Sequence, residues 1–395
     1  LVTSTIKPLP VLFVISNLSF AGTQRQLLTL IKHLDRDKFA PEVCTLSAQG
    51  EMEPEIEKLG IPLWHVLKTN RFDPWIFVRF AALCRRRKIQ VIYSFLDFDN
   101  LVGRVGGRLA RVPAIIASDR STNYTLPGIK KYLERWTLRL SNIIITNSSA
   151  GRDFLIRDKK IAPDVIRVIH NSLDPGLLKC KTPPGEVRTK FSIPADAIVV
   201  GIAARRRPEK NFGLFFSVAE EITCRDPQVW FLHVGDAAPT YQEYNDWIET
   251  RHKELTHRNR VILAGHWSDM GAFYRDIDIL MITSDREGFS NVLMEAMAMG
   301  IPAVATDVGD NHRLLADQGG FTSPPGNVDA MISNLLKLTS NRDLRLRMGE
   351  YNRRKSMDLF SVERMVTETG NTILEIYRSK AKVDSKEVPK DIIIH

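Results

Sequence analysis

The chain is predicted to fold as two α/β domains in series, each a parallel sheet covered by helices on both faces. Three observations carry this prediction. Short, nearly continuous apolar runs alternate with stretches of helical periodicity, the pattern of strands buried on both sides. That alternation is interrupted once, over residues 174–194, by a polar segment holding Pro175, Pro183, Pro184 and Gly185, and then resumes. A length of 395 residues also suffices for two hydrophobic cores.

In the first cycle the apolar runs at 11–16, 42–46, 91–95, 114–118, 142–147 and 165–169 read as strands. Between them, 24–34, 74–87 and 100–110 have helical spacing. The second cycle opens with a strand at 198–203 and continues through 229–234, 261–263, 277–282 and 303–305, with a helix over 291–299. Residues 361–378 read as one long helix, whereas 379–395 are charged and weakly patterned, the character of a loosely held end. The expected boundaries are a first domain over 1–175, a linker over 176–195, a second domain over 196–358, and a terminal helix with its tail over 359–395.

Composition narrows the setting. Cys44, Cys84, Cys180 and Cys224 are scattered without a C-x-x-C pair, which argues against a disulfide scaffold or a zinc site and for a reducing cytoplasm. The apolar run at 11–15 is too short for a signal segment, and no later run is long enough to span a bilayer. A net charge of +9 favours anionic partners: nucleotides, phospholipid surfaces or nucleic acid. No RNA or DNA module is visible, so nucleic acid rests on charge alone. Arg85-Arg86-Arg87-Lys88 closes one helix, and over 130–139 Lys130, Lys131, Arg135 and Arg139 alternate with Leu133 and Trp136. That second stretch reads equally as a helix lying on an anionic membrane or as an ordinary surface helix.

The motif with most chemical content is Glu287-Gly288-Phe289-Ser290-Asn291-Val292-Leu293-Met294-Glu295. It runs from a buried strand into a helix start, where open α/β sheets bind ligands and where backbone N–H groups face a phosphate or a hydroxyl. The bland alternative is an acidic helix N-terminus with an unrelated Glu two turns on. On a continuous helix the two carboxylates would lie about 12 Å apart along the axis, too far for the ~5–5.5 Å pair of a retaining glycosidase. They suit a clamp on two ends of one polar molecule. Arg205-Arg206-Arg207-Pro208-Glu209-Lys210 follows the first strand of the second cycle, and Arg205 with Lys210 is placed to meet a diphosphate. Ser19 to Gln24 follows the first strand; Gly22 there is either a ligand-approach glycine or a plain turn residue, without a G-x-G-x-x-G fingerprint. His170-Asn171-Ser172 sits at the domain junction. Gly265-His266-Trp267 follows another strand, and Trp267 is as readily core as a platform for a base. No histidine has metal-ligand spacing, so no metal is expected.

Together these segments resemble the retaining GT-B glycosyltransferases of family 4. Glu287 and Glu295 meet the family's E-x7-E motif, with a Glu-Gly-Phe-Ser core and Glu295-Ala296. Arg205 and Lys210 match its phosphate loop; Gly22-Thr23-Gln24-Arg25 is a loose match to its glycine-rich loop. His170-Asn171-Ser172-Leu173-Asp174 is similar to its Pro-Asn-Gly-Val-Asp junction. The resemblance implies a GT-B fold: two Rossmann-like domains facing across a cleft, the first for the acceptor and the second for the donor, with the tail helix returning to the first.

It further implies transfer of a hexose or N-acetylhexosamine from a nucleotide sugar, UDP-linked in the favoured reading, with retained anomeric configuration and neither metal nor other cofactor. The acceptor would be a glycan or lipid-linked molecule of cell-envelope or polysaccharide synthesis, met peripherally at the inner face of the cell membrane. Glu287, Arg205 and Lys210 then take catalytic roles. Gly22, Thr23, Asn171, His266, Trp267, Gly288, Phe289, Ser290, Asn291, Val292 and Glu295 contact the donor. Many relatives carry a His after the strand at 114–118, but this chain has Ser118-Asp119-Arg120-Ser121-Thr122-Asn123, similar to members that act on lipid-linked or polysaccharide precursors. Arg120 and Asp119 are assigned to the acceptor side. Competing readings are an inverting transferase, a nucleotide-sugar epimerase, and a catalytically silent subunit that binds nucleotide sugar.

Overall fold

The computed structural model describes residues 7–19, 22–47, 50–70, 73–120 and 136–384. They form two compact units, one from within residues 7–172 together with 362–384, the other of residues 173–361. The first holds seven strands: β1 (Leu9–Ile15), β2 (Phe39–Thr45), β3 (Leu63–His65), β4 (Val91–Phe95), β5 (Ala114–Asp119), β6 (Ile143–Thr146) and β7 (Ile166–Val168). They pair in the order β3-β2-β1-β4-β5-β6-β7, parallel at every step. The second unit has β8 (Ile198–Ala203), β9 (Val229–Val234), β10 (Val261–Leu263), β11 (Ile279–Ile282), β12 (Ala303–Thr306) and β13 (Gly320–Ser323). Their order is β10-β9-β8-β11-β12-β13, again all parallel.

Side chains along a strand alternate between faces, and here both faces are covered. In β1, Val11, Phe13 and Ile15 pack with Leu27, Leu30 and Ile31 of the helix Gly22–His33 and with Met365 and Ile373 of the last helix. Leu12 and Val14 turn to the opposite layer, with Ile76, Phe80 and Val102. β8 repeats the arrangement: Val199 meets Phe273 and Leu293, while Val200 and Ile202 meet Phe215, Phe216 and Ile222. This explains why the strands read as continuous apolar runs.

Three expectations require correction. Residues 176–195 do not form a linker. They fold onto the second unit, where Val187 and Ile193 are in its core and Arg188 donates to Asp278 Oδ2 (2.8 Å) and to the Asp276 carbonyl (2.9 Å). The proline-rich composition marks tight turns around the short helix Glu186–Lys190, not a free tether. Strands β3 and β13 were not anticipated; both are short edge strands, and the few residues they contribute carry little periodicity. The last helix runs from Val362 to Asp384, beyond the expected end at 378, and packs in the first unit against the helix Gly22–His33 and β5.

Candidate functional site

In each sheet the chain leaves two neighbouring strands in opposite directions, and the loops after those strands open a crevice where ligands bind. In the second unit the pair is β8 and β11, which places the Arg205–Lys210 loop beside the Glu287 loop. The β8 loop makes a 3-10 turn over Pro208–Lys210, then turns at Asn211, whose φ of +46° is left-handed and whose side chain caps the helix Phe212–Arg225 by accepting from Leu214 N (2.9 Å). Three hydrogen bonds lace the two loops. Asp285 N donates to Glu209 O (2.9 Å), Thr283 Oγ1 to Lys210 O (2.8 Å), and Asn211 Nδ2 to Asp285 Oδ1 (2.8 Å).

That lacing delivers Lys210 Nζ to Glu287 Oε1 at 2.5 Å. Ser284 Oγ donates to the same oxygen (2.7 Å), and the Ser284 carbonyl is itself held by Thr306 Oγ1 (2.6 Å). A half-buried ammonium and carboxylate therefore meet at the switch point. The helix begins at Asn291, so Glu287 is on a turn and the axial spacing of a continuous helix does not apply to it. Ser290 caps the helix, accepting from Leu293 N (3.3 Å), and Asn291 and Val292 occupy the first turn, whose amides point out of the helix end. Glu295 is buried one turn further on, where the Tyr274 hydroxyl donates to its Oε2 (2.8 Å).

Gly309 supports this turn from below. Its φ is +59°, and a Cβ would come within 2.8 Å of the Glu287 carbonyl oxygen and 2.9 Å of the Gly288 carbonyl oxygen. Gly309→Ala should therefore destabilise the protein by about 1–3 kcal/mol and displace the turn. Thermal melting checks the first effect and donor affinity the second; unchanged donor affinity would mean the turn tolerates the methyl.

Other expected residues fall out differently. Arg205 is exposed on its loop, while Arg206 is buried with Nη1 on Glu249 Oε1 (2.5 Å). The β9 and β10 loops join them: Gly235 N donates to the Gly265 carbonyl (2.8 Å), and His266 Nδ1 lies 3.1 Å from Asp236 Oδ1. His233, which sequence reasoning passed over, is buried beneath with Nε2 at 2.8 Å from the Ala204 carbonyl; that oxygen only accepts, so Nε2 carries the proton. Burial pulls this imidazole down to about 4, leaving it neutral. Trp267 is half-buried. Its ring packs on Phe191 and under Lys190, and its Nε1 donates to the Asp269 carbonyl (2.8 Å). Phe289 is likewise core, edge-on to Phe360.

In the first unit, Gly22 and Thr23 open the helix Gly22–His33, and Gln26 exchanges two hydrogen bonds with the Ser172 backbone (2.8 Å each). Arg120 lies over the Phe95 ring and donates to Asn171 Oδ1 (2.9 Å), joining two expected site residues 51 positions apart. The His170 ring sits 3.0 Å from the Asn147 carbonyl. Asp119, expected on the acceptor side, is instead buried in an ion pair with Lys159 (2.7 Å). Lys130, Lys131 and Arg135 lie outside the described residues, and Trp136 and Arg139 are exposed.

The crevice of the first unit, between β1 and β4, is built on a residue not singled out from sequence. Asp99 is fully buried and accepts from Ser16 N (2.9 Å) and from Ser16 Oγ. Leu96, just before, has φ +68° and ψ 164°, a conformation almost confined to glycine. Burial pushes the Asp99 carboxyl up to about 8 against those two hydrogen bonds, with the Asp97 carboxylate adding to the rise and Lys68 opposing it. The pattern Asp97-Phe98-Asp99-Asn100, directly after a strand and opening a helix, was the available signal.

Residues 20–177 match the family model described as Glycosyltransferase Family 4, and residues 185–355 the one described as Glycosyl transferases group 1. Among curated relatives, the chain is 21% identical over 309 residues to an Escherichia coli UDP-Gal:alpha-D-GlcNAc-diphosphoundecaprenol alpha-1,3-galactosyltransferase, covering 75% of this chain and 78% of that one. It is 22% identical to a Staphylococcus aureus capsular polysaccharide biosynthesis glycosyltransferase, covering 81% and 86%. Among solved structures, a Rickettsia africae glycosyltransferase superposes with a TM-score of 0.82 at 19% identity, covering 95% of this chain and all of that one. Anabaena HepE in complex with UDP-glucose superposes at 0.78 and 22% identity, covering 93% and 99%.

Proposed function

Because this chain belongs to the family 4 glycosyltransferases of GT-B fold, we propose that it moves a hexose or N-acetylhexosamine from a UDP-sugar to a glycan or lipid-linked acceptor, with retention and without a metal. The observation that carries this is the meeting of Lys210 and Glu287, 77 positions apart, at the switch point of the second unit. The donor class is supported by the Anabaena homologue's UDP-glucose complex. The acceptor class and a role in envelope or polysaccharide synthesis are supported by what the Escherichia coli and Staphylococcus aureus relatives are named for.

The reaction breaks the bond from the sugar's anomeric carbon to the diphosphate and forms one to an acceptor oxygen on the same face. Charge develops on the departing diphosphate. Lys210, Arg205 and the first-turn amides at Asn291 and Val292 stabilise it, which is the largest rate effect such a site offers. Glu287, oriented by Ser284, holds hydroxyls of the transferring sugar, and Glu295, oriented by Tyr274, holds the ribose diol. The acceptor's proton passes to the leaving phosphate oxygen, so no separate protein base is required. Arg120, held by Asn171, is assigned to an acceptor phosphate or the donor sugar. Among the described residues no helix is long and apolar enough to cross a membrane; attachment to the inner membrane face through 130–139 is part of the proposal.

Thermal melting in the presence of UDP, GDP, ADP and their sugars tests the donor, since a ligand bound only to the folded state at 100 times its Kd stabilises by about 2.7 kcal/mol. A UDP-sugar should give the largest shift, and no shift with any nucleotide sugar would sink the reading. Turnover should persist after EDTA treatment, and NMR of the product should show the donor's anomeric configuration. Inversion at that carbon would favour the competing transferase reading, and sugar conversion without acceptor the epimerase.

A further inference from the structure

The helices Trp75–Arg86 and Asp97–Ala110 pack side by side on one face of the first sheet, with Gly106 seated against Phe80. Their outward sides are not the polar surface expected of a helix layer facing water. On the first helix, Trp75 is 67% exposed, Val78 50%, and Ala82 is also exposed. On the second, Leu101 and Val105 are half-exposed and Leu109 is 48% exposed. Residues 136–141 abut this pair: Arg108 Nε donates to the Leu140 carbonyl (3.1 Å), Arg85 caps the Leu109 carbonyl, and Trp136 is 62% exposed. Arg86, Arg111 and Arg139 stand exposed around the same end. The stretches 74–96, 100–118 and 136–152 contain no Asp or Glu at all.

We propose that this face docks the protein on an anionic phospholipid bilayer. An apolar centre with tryptophans at its margins, and exposed arginines drawn from stretches without acids, matches an interface whose surface is negative and whose interior is hydrocarbon. An acidic protein partner would satisfy the charge but leaves the two exposed indoles without their preferred half-wet setting. The face lies outside 130–135 and refines the membrane attachment proposed above, on which it rests only for the choice of partner.

The test is co-sedimentation of the full chain with vesicles of phosphatidylglycerol and phosphatidylcholine, against phosphatidylcholine alone, at low and high salt. The parent should bind the anionic vesicles at low salt and release at high salt. A Trp75→Gln/Arg86→Gln/Leu109→Gln variant should bind at least about tenfold more weakly, from one lost cation and two lost apolar contacts. A control triple variant of the second unit, Arg342→Gln/Leu346→Gln/Arg347→Gln, which removes one more cation than the first, should still bind like the parent; its helix also exposes Asp343 and Glu350. Far-UV circular dichroism and the melting shift with UDP-sugar confirm that the variants are folded, and that shift tests the transferase reading independently of vesicles. Three results would overturn the proposal: a parent that ignores anionic vesicles, a first variant that binds undiminished, or self-association that buries Trp75 and Trp136 while vesicle binding is nil.

Discussion

Lys210→Ala should lower kcat by about two to three orders of magnitude, the usual consequence of removing one preorganised charge from a developing anion. The fold should survive, because the loop is tied down through the carbonyls of Glu209 and Lys210, which Asp285 N and Thr283 Oγ1 reach without the lysine side chain. Truncation does remove the ammonium from a half-buried Glu287 carboxylate that Ser284 still reaches, so melting should fall by a few degrees, consistent with about 1–2 kcal/mol. Glu287→Gln separates the two halves of the pair. It keeps an acceptor for Ser284 Oγ but removes the charge that orients the ammonium, and it too should lose most turnover. Steady-state kinetics with saturating UDP-sugar decide the matter: a Lys210→Ala protein within tenfold of the parent would take this lysine out of the chemistry.

Asp99→Asn should stabilise the protein at neutral and mildly alkaline pH by a few kcal/mol. The folded chain holds a proton on Asp99 up to about pH 8, whereas an ordinary Asp carboxyl releases it near 3.8. Between those values the folded state binds one more proton than the unfolded state. Stability from this group is therefore full below about pH 4 and falls by about 1.4 kcal/mol per pH unit until it levels off near 8. Asparagine resembles the protonated acid in shape: its oxygen can accept from Ser16 N while its NH2 donates to Ser16 Oγ. The difference in unfolding free energy between variant and parent, measured by denaturant titration at several pH values, should grow from pH 4 to pH 8 and then flatten. A difference independent of pH would show that Asp99 is ionised in the folded chain.

Much of the fold was legible because a strand buried on both faces has to be apolar along its length. That is why β1, β4, β5, β8, β9 and β11 stand out as runs of Val, Ile and Leu. β3 and β13 sit at sheet edges and bury too few residues to leave such a mark. The segment at 176–195 misled for a related reason: Pro183, Pro184 and Gly185 are compatible both with a tether and with tight turns, and only the burial of Val187 and Ile193 separates the two. Trp267 and Phe289 show the same ambiguity at the site, since an aromatic after a strand serves equally to receive a ligand or to fill a core.

The sequence by itself determined the family, because Glu287, Glu295, Arg205 and Lys210 have its spacing and residue types, and with it the loops to which the chemistry is assigned here as a proposal. It could not determine partners. Tertiary structure decided that Lys210 meets Glu287, that Asp119 is consumed by Lys159, and that Asp99 is stripped of water beneath Ser16. The physical reason is range. Periodicity and turn chemistry act over a few neighbouring residues, whereas Coulomb attraction and desolvation depend on which distant strands the sheet order brings side by side.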